Sequence, residues 1–226
     1  MNYNELFETV KGYVENDFPN TSWTASGGSG QVTLTSTEQL NTFIREAEQR
    51  IYNTVDLLVS RYAITGTMTA GNQYLTAPAD WLSNFSLAVI DASGDYEYLL
   101  NKDVNFIRAA FPNPSYEAKP THYAFFNADE FILGPTPDAS YSYELHYYRY
   151  PPSIVDAGSS WLGDFFDSVL LYGTLLEAYT FMKGEADVIA GYQKRYDDAI
   201  MQLRQLSEGK NRQDMYRTQQ ARYPVA

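Results

Sequence analysis

His122 and His146 are the only imidazoles in a chain of 226 residues, and imidazole is the side chain best suited to proton transfer near neutrality or to holding a metal. Both stand in aromatic-rich runs, HYAFF and SYELHYY, where a histidine reads as hydrogen-bonded strand structure rather than as a catalyst. Asp91, Asp95 and Glu97 in DASGDYE have the outline of an oxygen-rich cation loop. A calcium loop needs a longer ligand series ending in a bidentate Glu, and Ser-Gly-Asp is ordinary turn chemistry. The chain has no Cys, which excludes a thiol nucleophile, a thiolate zinc site and a disulfide framework. No Gly-x-Ser-x-Gly, His-Glu-x-x-His or dinucleotide glycine pattern occurs, and no Lys-Ser/Thr pair and helix follow Gly30 to make a phosphate loop. Two carboxylates of a cell-wall hydrolase could come from anywhere in the chain, so that class stays open without residues of its own. The sequence therefore predicts no enzyme, no cofactor and no metal site.

The remaining chemistry-bearing feature is aromatic. SYSYELHYYRYPP carries Tyr141, Tyr143, Tyr147, Tyr148 and Tyr150, and tyrosine can serve as a stacking platform or as core, since its ring is apolar and its hydroxyl needs a partner. Strand alternation puts Tyr141, Tyr143, Leu145 and Tyr147 on one face and Ser142, Glu144, His146, Tyr148 and Tyr150 on the other. The first set predicts the packed side of a β-domain, opposite Phe131 and Leu133. The second predicts a polar outer or inter-subunit face. A carbohydrate- or surface-binding module, with the tyrosines exposed, is the competing reading.

The elements around these residues predict an α+β chain. Residues 3–15 have an amphipathic helical pattern, and NDFPNTSWTASGGSG reads as an irregular connection. Ser36 and Gln39 have the spacing of a capping box, and Leu40, Phe43, Ile44, Ala47, Ile51, Val55 and Leu58 predict a helix of about six turns ending near Ser60. Two hairpins are expected next, one turning at Ala70-Gly71-Asn72 and one at Ser93-Gly94-Asp95, then a short helix capped by Asp103 and stopped by Pro112. HYAFF and EFIL flank a further turn at Asn127-Ala128-Asp129 before the Tyr-rich strand. A helical hairpin closes the pattern, residues 164–183 and 185–208 about Gly184. Its first helix has no polar face, which predicts burial on several sides, either as a central core helix or between subunits. Gly173 inside it marks a close approach of another backbone. Four regions result: helices with a Gly/Ser-rich loop over 1–61, an antiparallel β-rich domain over 62–155, the helical hairpin over 156–208 completing a bundle, and an extended tail over 209–226.

Charge separates along the same lines. Against a net charge of −12, Lys210, Arg212, Arg217 and Arg222 with Asp214 alone make residues 209–226 +3 and leave the rest −15. An acidic body repels nucleic acid and membranes, whereas a short basic tail suits an acidic partner. MNYNELFETVKGYVEND is not of signal-peptide type, and the uncharged part of FFDSVLLYGTLLEAYTFM is too short to span a bilayer. The sequence predicts a soluble chain that is not exported by that route, so Asn20-Thr21-Ser22 and Asn84-Phe85-Ser86 read as chance matches to the glycosylation pattern.

FIREAEQRIYNTVDL, FSLAVIDASGDYEYLLNKDVNFIRAAFPNP, ILGPTPDASYSYELHYYRYPPSI and LLYGTLLEAYTFMKGEADVIAGYQKRYDDAI together resemble a head-to-tail adaptor of tailed bacteriophages. The order of elements is similar to that of the tail tubular protein A class of podoviral adaptors. The resemblance implies a non-enzymatic virion protein of the neck, assembled in the host cytoplasm as a ring, typically of twelve subunits. Such a ring binds the portal, receives the downstream tail or nozzle protein and lets double-stranded DNA pass without sequence-specific binding. Another tail or neck tube component is the nearest alternative. It further implies that Lys210, Arg212, Tyr216, Arg217, Arg222 and Tyr223 dock on the portal. Arg45, Glu48, Phe165, Tyr172 and Tyr179 are the inter-subunit candidates.

Overall fold

A computed structural model describes residues 1–15, 18–24, 31–91 and 93–217. The helices are α1 (Tyr3–Val14), α2 (Ser36–Thr54), α3 (Val104–Ala110), α4 (Ile154–Ala157), α5 (Trp161–Phe165), α6 (Asp167–Phe181) and α7 (Ala186–Arg217). The strands are β1 (Thr21–Thr24), β2 (Gln31–Leu34), β3 (Arg61–Met68), β4 (Tyr74–Thr76), β5 (Ser83–Ile90), β6 (Tyr96–Tyr98), β7 (Leu100–Asn101), β8 (His122–Phe125), β9 (Glu130–Gly134) and β10 (Tyr141–Tyr148). The chain divides into a helical unit, Met1–Val59 with Pro151–Ala226, and a β-rich unit, Ser60–Tyr150.

In the helical unit α6 is central, packed against α1, α2, α5 and α7. Val169, Leu170, Leu171, Leu175, Leu176 and Ala178 are buried inside the protomer, so the helix without a polar face is packed as a core helix. Gly173 allows the close packing: a Cβ there would lie 3.3 Å from both the Ala47 Cβ of α2 and the Tyr196 ring of α7. The approach is by side chains of two helices rather than by a backbone. The expected single helix over 164–183 is divided, because Ser160 caps α5 through the Gly163 amide and Phe166 leaves helical geometry before α6 begins.

Four further expectations are corrected. The capping box of α2 is Thr35 with Glu38, one residue earlier than Ser36 with Gln39; the Gln39 side chain instead donates to the Pro19 carbonyl at 2.7 Å. That helix ends at Thr54, followed by a 3-10 turn at Leu58–Ser60. In the segment read as irregular, β1 and β2 form an antiparallel ribbon with Thr21 opposite Leu34 and Thr24 opposite Gln31, because β-branched residues flank the glycines. The loop around Gly27 lies outside the described residues. Finally, the backbone of residues 209–217 continues α7 rather than extending, since Lys, Arg, Gln and Met are strong helix formers and outweigh Gly209.

The β-rich unit contains two four-stranded sheets, ordered β3-β10-β5-β6 and β4-β9-β8-β7. The turn at Gly71 does not close a hairpin: its amide donates to the Pro137 carbonyl, and the chain crosses so that β3 pairs with β10 while β4 pairs with β9. The turn at Gly94 does close one, with Val89 opposite Glu97 and a φ of 87° at the glycine. Leu87, Val89, Tyr143, Leu145 and Tyr147 of the first sheet share a core with Tyr123, Phe131 and Leu133 of the second. Tyr143 faces Gly66 across the β3–β10 pair, and a Cβ on Gly66 would sit 2.6 Å from the Tyr143 hydroxyl oxygen. The tyrosine ring thus covers the strand glycine and takes the space of its missing side chain. α3 lies on the second sheet, capped by Asp103 as the sequence predicts, with Ile107 packed on Ala124 and Ile132.

Candidate interaction surfaces

No side chain singled out for chemistry joins a catalytic grouping. His122 shares a hydrogen bond with the Thr121 hydroxyl at 2.8 Å and packs on the Phe106 and Phe111 rings. His146 faces Glu144 at 3.2 Å on the outer side of β10. The Asp91 carboxylate accepts from the amides of Ser93 and Asp95, which is turn chemistry and keeps its pKa below the usual range.

The tyrosines of β10 divide as alternation requires. Tyr147, 1 % exposed, donates its hydroxyl to Asp80 at 2.8 Å. Asp80 also accepts from Arg149 at 2.8 Å, and the Arg149 guanidinium lies 3.6 Å from the centre of the Tyr62 ring. The bond from Arg149 is the main reason the Asp80 carboxyl stays below its ordinary range, while burial pushes the Tyr147 phenol up to about 12. These four residues are a structural knot and remove Tyr147 from any platform. On the opposite face the β10–β5 register shifts at His146/Tyr147, a bulge that leaves Phe85 exposed against Tyr148 with Arg61 5.1 Å from its ring. Bulges of this kind re-aim side chains outward.

A second aromatic surface lies on the helical unit, and the sequence singled out only Tyr172 and Tyr179 of it. Tyr172 and Tyr192 stack at 6.3 Å and Tyr179 lies 5.1 Å from Tyr192. The Arg195 side chain donates to the Tyr172 hydroxyl at 3.0 Å, and the Tyr179 hydroxyl donates to the Tyr13 carbonyl at 3.0 Å. Burial first, and then the hydrogen bond with Tyr179, raises the Tyr192 phenol to about 12. The available signal was spacing: Tyr172 and Tyr179 are seven residues apart on α6, and Tyr192 and Arg195 three apart on α7.

The inter-subunit candidates do not share one surface. Phe165 is 68 % exposed, Arg45 pairs with Asp156 at 2.7 Å on the exterior, and Tyr172 and Tyr179 belong to the aromatic surface just described. Glu48 is corrected: only 3 % exposed, it accepts from the Ile154 amide at 2.9 Å and fastens α2 to the returning chain at α4. Burial holds its carboxyl above the usual range, opposed by hydrogen bonds from Ser153 and Ile154. A raised folded-state pKa gives a contribution complete below the ordinary Glu range and lost as pH rises through the raised value. Glu48→Gln keeps an acceptor for Ile154 and should remove that fall in stability with pH. Glu48→Ala strands the amide and should cost about 1–3 kcal/mol. Urea titrations of the full chain at several pH values check both.

Of the portal candidates, Lys210, Arg212, Tyr216 and Arg217 stand on the helical backbone of α7 with side chains outside the described residues, and Arg222 and Tyr223 lie wholly outside them. Just before that segment, the Ser207 hydroxyl donates to the Asp56 carbonyl and ties α7 to the end of α2. Among the described residues no helix is long and apolar enough to cross a membrane.

Both compact units display aromatic and cationic side chains at their surfaces, Phe85 beside Arg61 on one and Tyr172 beside Arg195 on the other. A family model for the SU10 adaptor protein matches residues 1–223, and the chain belongs to that family. That family places it among the bacteriophage head-to-tail adaptors, structural components of the virion. A search of curated proteins gives no match.

Proposed function

We propose that this adaptor forms a ring, of twelve subunits as in the tail tubular protein A class, that seats beneath the portal, receives the next tail component and prolongs the DNA channel. The observation that carries the reading is family membership over residues 1–223 in a chain whose charge divides into a −15 body and a +3 terminal segment. An acidic wall does not hold passing phosphates. The basic segment meets the portal through Lys210, Arg212, Arg217 and Arg222 as charge-assisted donors and through Tyr216 and Tyr223 as amphipathic anchors. Repetition around a ring multiplies such contacts through avidity. Phe165, Arg45 and the Tyr172–Tyr179–Tyr192–Arg195 surface supply contacts between neighbours or toward the tail, since Tyr and Arg are the residues that anchor interfaces.

Deleting residues 209–226 leaves Ser207 and its tie to Asp56 in place. The truncated protein should keep its helical circular dichroism and its cooperative unfolding, yet fail to co-sediment with portal-bearing capsids. Co-sedimentation equal to that of the full chain removes the segment from portal binding.

A further inference from the structure

Among the described residues β3 is the outer strand of its sheet, hydrogen-bonded to β10 on one side only. The other outer strands of the two sheets, β4, β6 and β7, are three, three and two residues long. Short edges are one way in which proteins prevent unwanted strand addition; charges, prolines and bulges are others. Beyond Arg61 at its first position, β3 uses none of these. It runs for eight residues, carries no proline, and has no charged residue after Arg61 until Asp80. Ala63, Thr65 and Thr67 are exposed along it.

The same chain contains a second incomplete β element. β1 and β2 make a sheet of two strands only, and an isolated ribbon of that size is marginal in water. The sequence from Phe18 to Thr37 around it is uncharged, and Thr21, Ser22 and Thr33 are exposed. Among the described residues each of its strands is paired on one side.

We infer that the β1–β2 ribbon of one subunit adds to the β3 edge of the next, so that neighbouring adaptors are joined by main-chain hydrogen bonds. The inference rests on the ring proposed above. A ring closes by heterologous contacts, one surface meeting a different surface of the neighbour. Pairing of β3 with β3 would be two-fold and stop at a dimer, whereas ribbon and β3 are two different edges of one chain and propagate. Strand addition takes its affinity from the backbone and its register from alternate side chains, which suits an edge of small, uncharged residues such as Ala63, Thr65 and Thr67.

Because the chain has no Cys, introduced thiols are unambiguous. Ser22→Cys with Thr65→Cys, and separately Thr33→Cys with Ala63→Cys, place thiols at exposed positions of both edges in the full-length protein. The variants are assembled with portal-bearing capsids, inspected by electron microscopy, treated with a short bismaleimide and run on a denaturing gel. The double variants should give a ladder of covalent multimers, and each single variant only monomer. Covalent dimers from Thr65→Cys alone would show β3 pairing with itself and overturn the inference. Rings that form but give no ladder with either pair overturn strand addition and leave the ring intact. Absence of rings overturns the ring reading, and the inference with it.

Discussion

Tyr147→Ala is expected to destabilise the β-rich unit by about 3–5 kcal/mol, the range for removing a fully buried aromatic ring. Tyr147 is 1 % exposed, lies in the core with Phe131 and Leu133, and its hydroxyl satisfies Asp80 beside Arg149. Tyr147→Phe keeps the ring and removes only the bond to a charged acceptor, which is worth about 1.5–3 kcal/mol. Tyr148→Ala, one residue along and on the opposite face, should cost under about 1 kcal/mol, since its ring partner Phe85 is exposed. Hydrogen exchange at the amides of β3, β5 and β10 in the full chain separates the cases. The Asp80 contribution also has a sign in pH. Its folded-state pKa is lowered, so its stabilisation is present above the ordinary Asp range and is lost as pH falls through the lowered value.

The second large effect belongs to α6. Leu170→Ala or Leu175→Ala should cost the helical unit about 2–5 kcal/mol, because both side chains are fully buried and the cavity each leaves is walled by helices on several sides. Gly173 probes the same packing from the opposite direction. Alanine there needs Ala47 and Tyr196 to give by a few tenths of an ångström and gains about 1 kcal/mol of helix propensity, so its net effect should be small. Leucine must push α2 or α7 away and should cost about 1–3 kcal/mol or more. Thermal unfolding followed by helical circular dichroism ranks Gly173→Ala above both leucine-to-alanine variants and above Gly173→Leu. A Gly173→Leu protein as stable as the parent would contradict the close packing.

These residues also show what the sequence could carry. Periodicity found α1 and α2, and it assigned Tyr143, Leu145 and Tyr147 to the packed face, because burial imposes a repeat on residue type. Local chemistry found the Asp103 cap and the hairpin at Gly94 for a similar reason, since each involves residues a few positions apart. Contacts between distant residues left no such mark. Turn residues at Gly71 look like a hairpin, and only the tertiary bond to Pro137 shows the chain crossing between sheets. Glu48 reads as solvated by its charge, whereas its partner Ile154 lies 106 residues away. The β1–β2 ribbon was hidden among glycines and serines, whose turn signal outweighs two strands of four residues. Residues 209–217 read as an extended tail from charge and from the glycine at 209, although their composition favours helix.

The interaction surfaces were legible in kind but not in place. The four quoted stretches resemble head-to-tail adaptors, the class to which the family match assigns the chain. The cluster of Tyr172, Tyr179, Tyr192 and Arg195 depends on how α6 and α7 are rotated against each other, which no spacing within one helix determines.

Cryo-electron microscopy of the neck of an assembled virion tests the central claim most directly. A closed ring of this chain is expected between portal and tail, its acidic surface lining the passage for DNA and its basic terminal segment against the portal. Finding the chain elsewhere in the particle, or as isolated copies that do not enclose the channel, would contradict it.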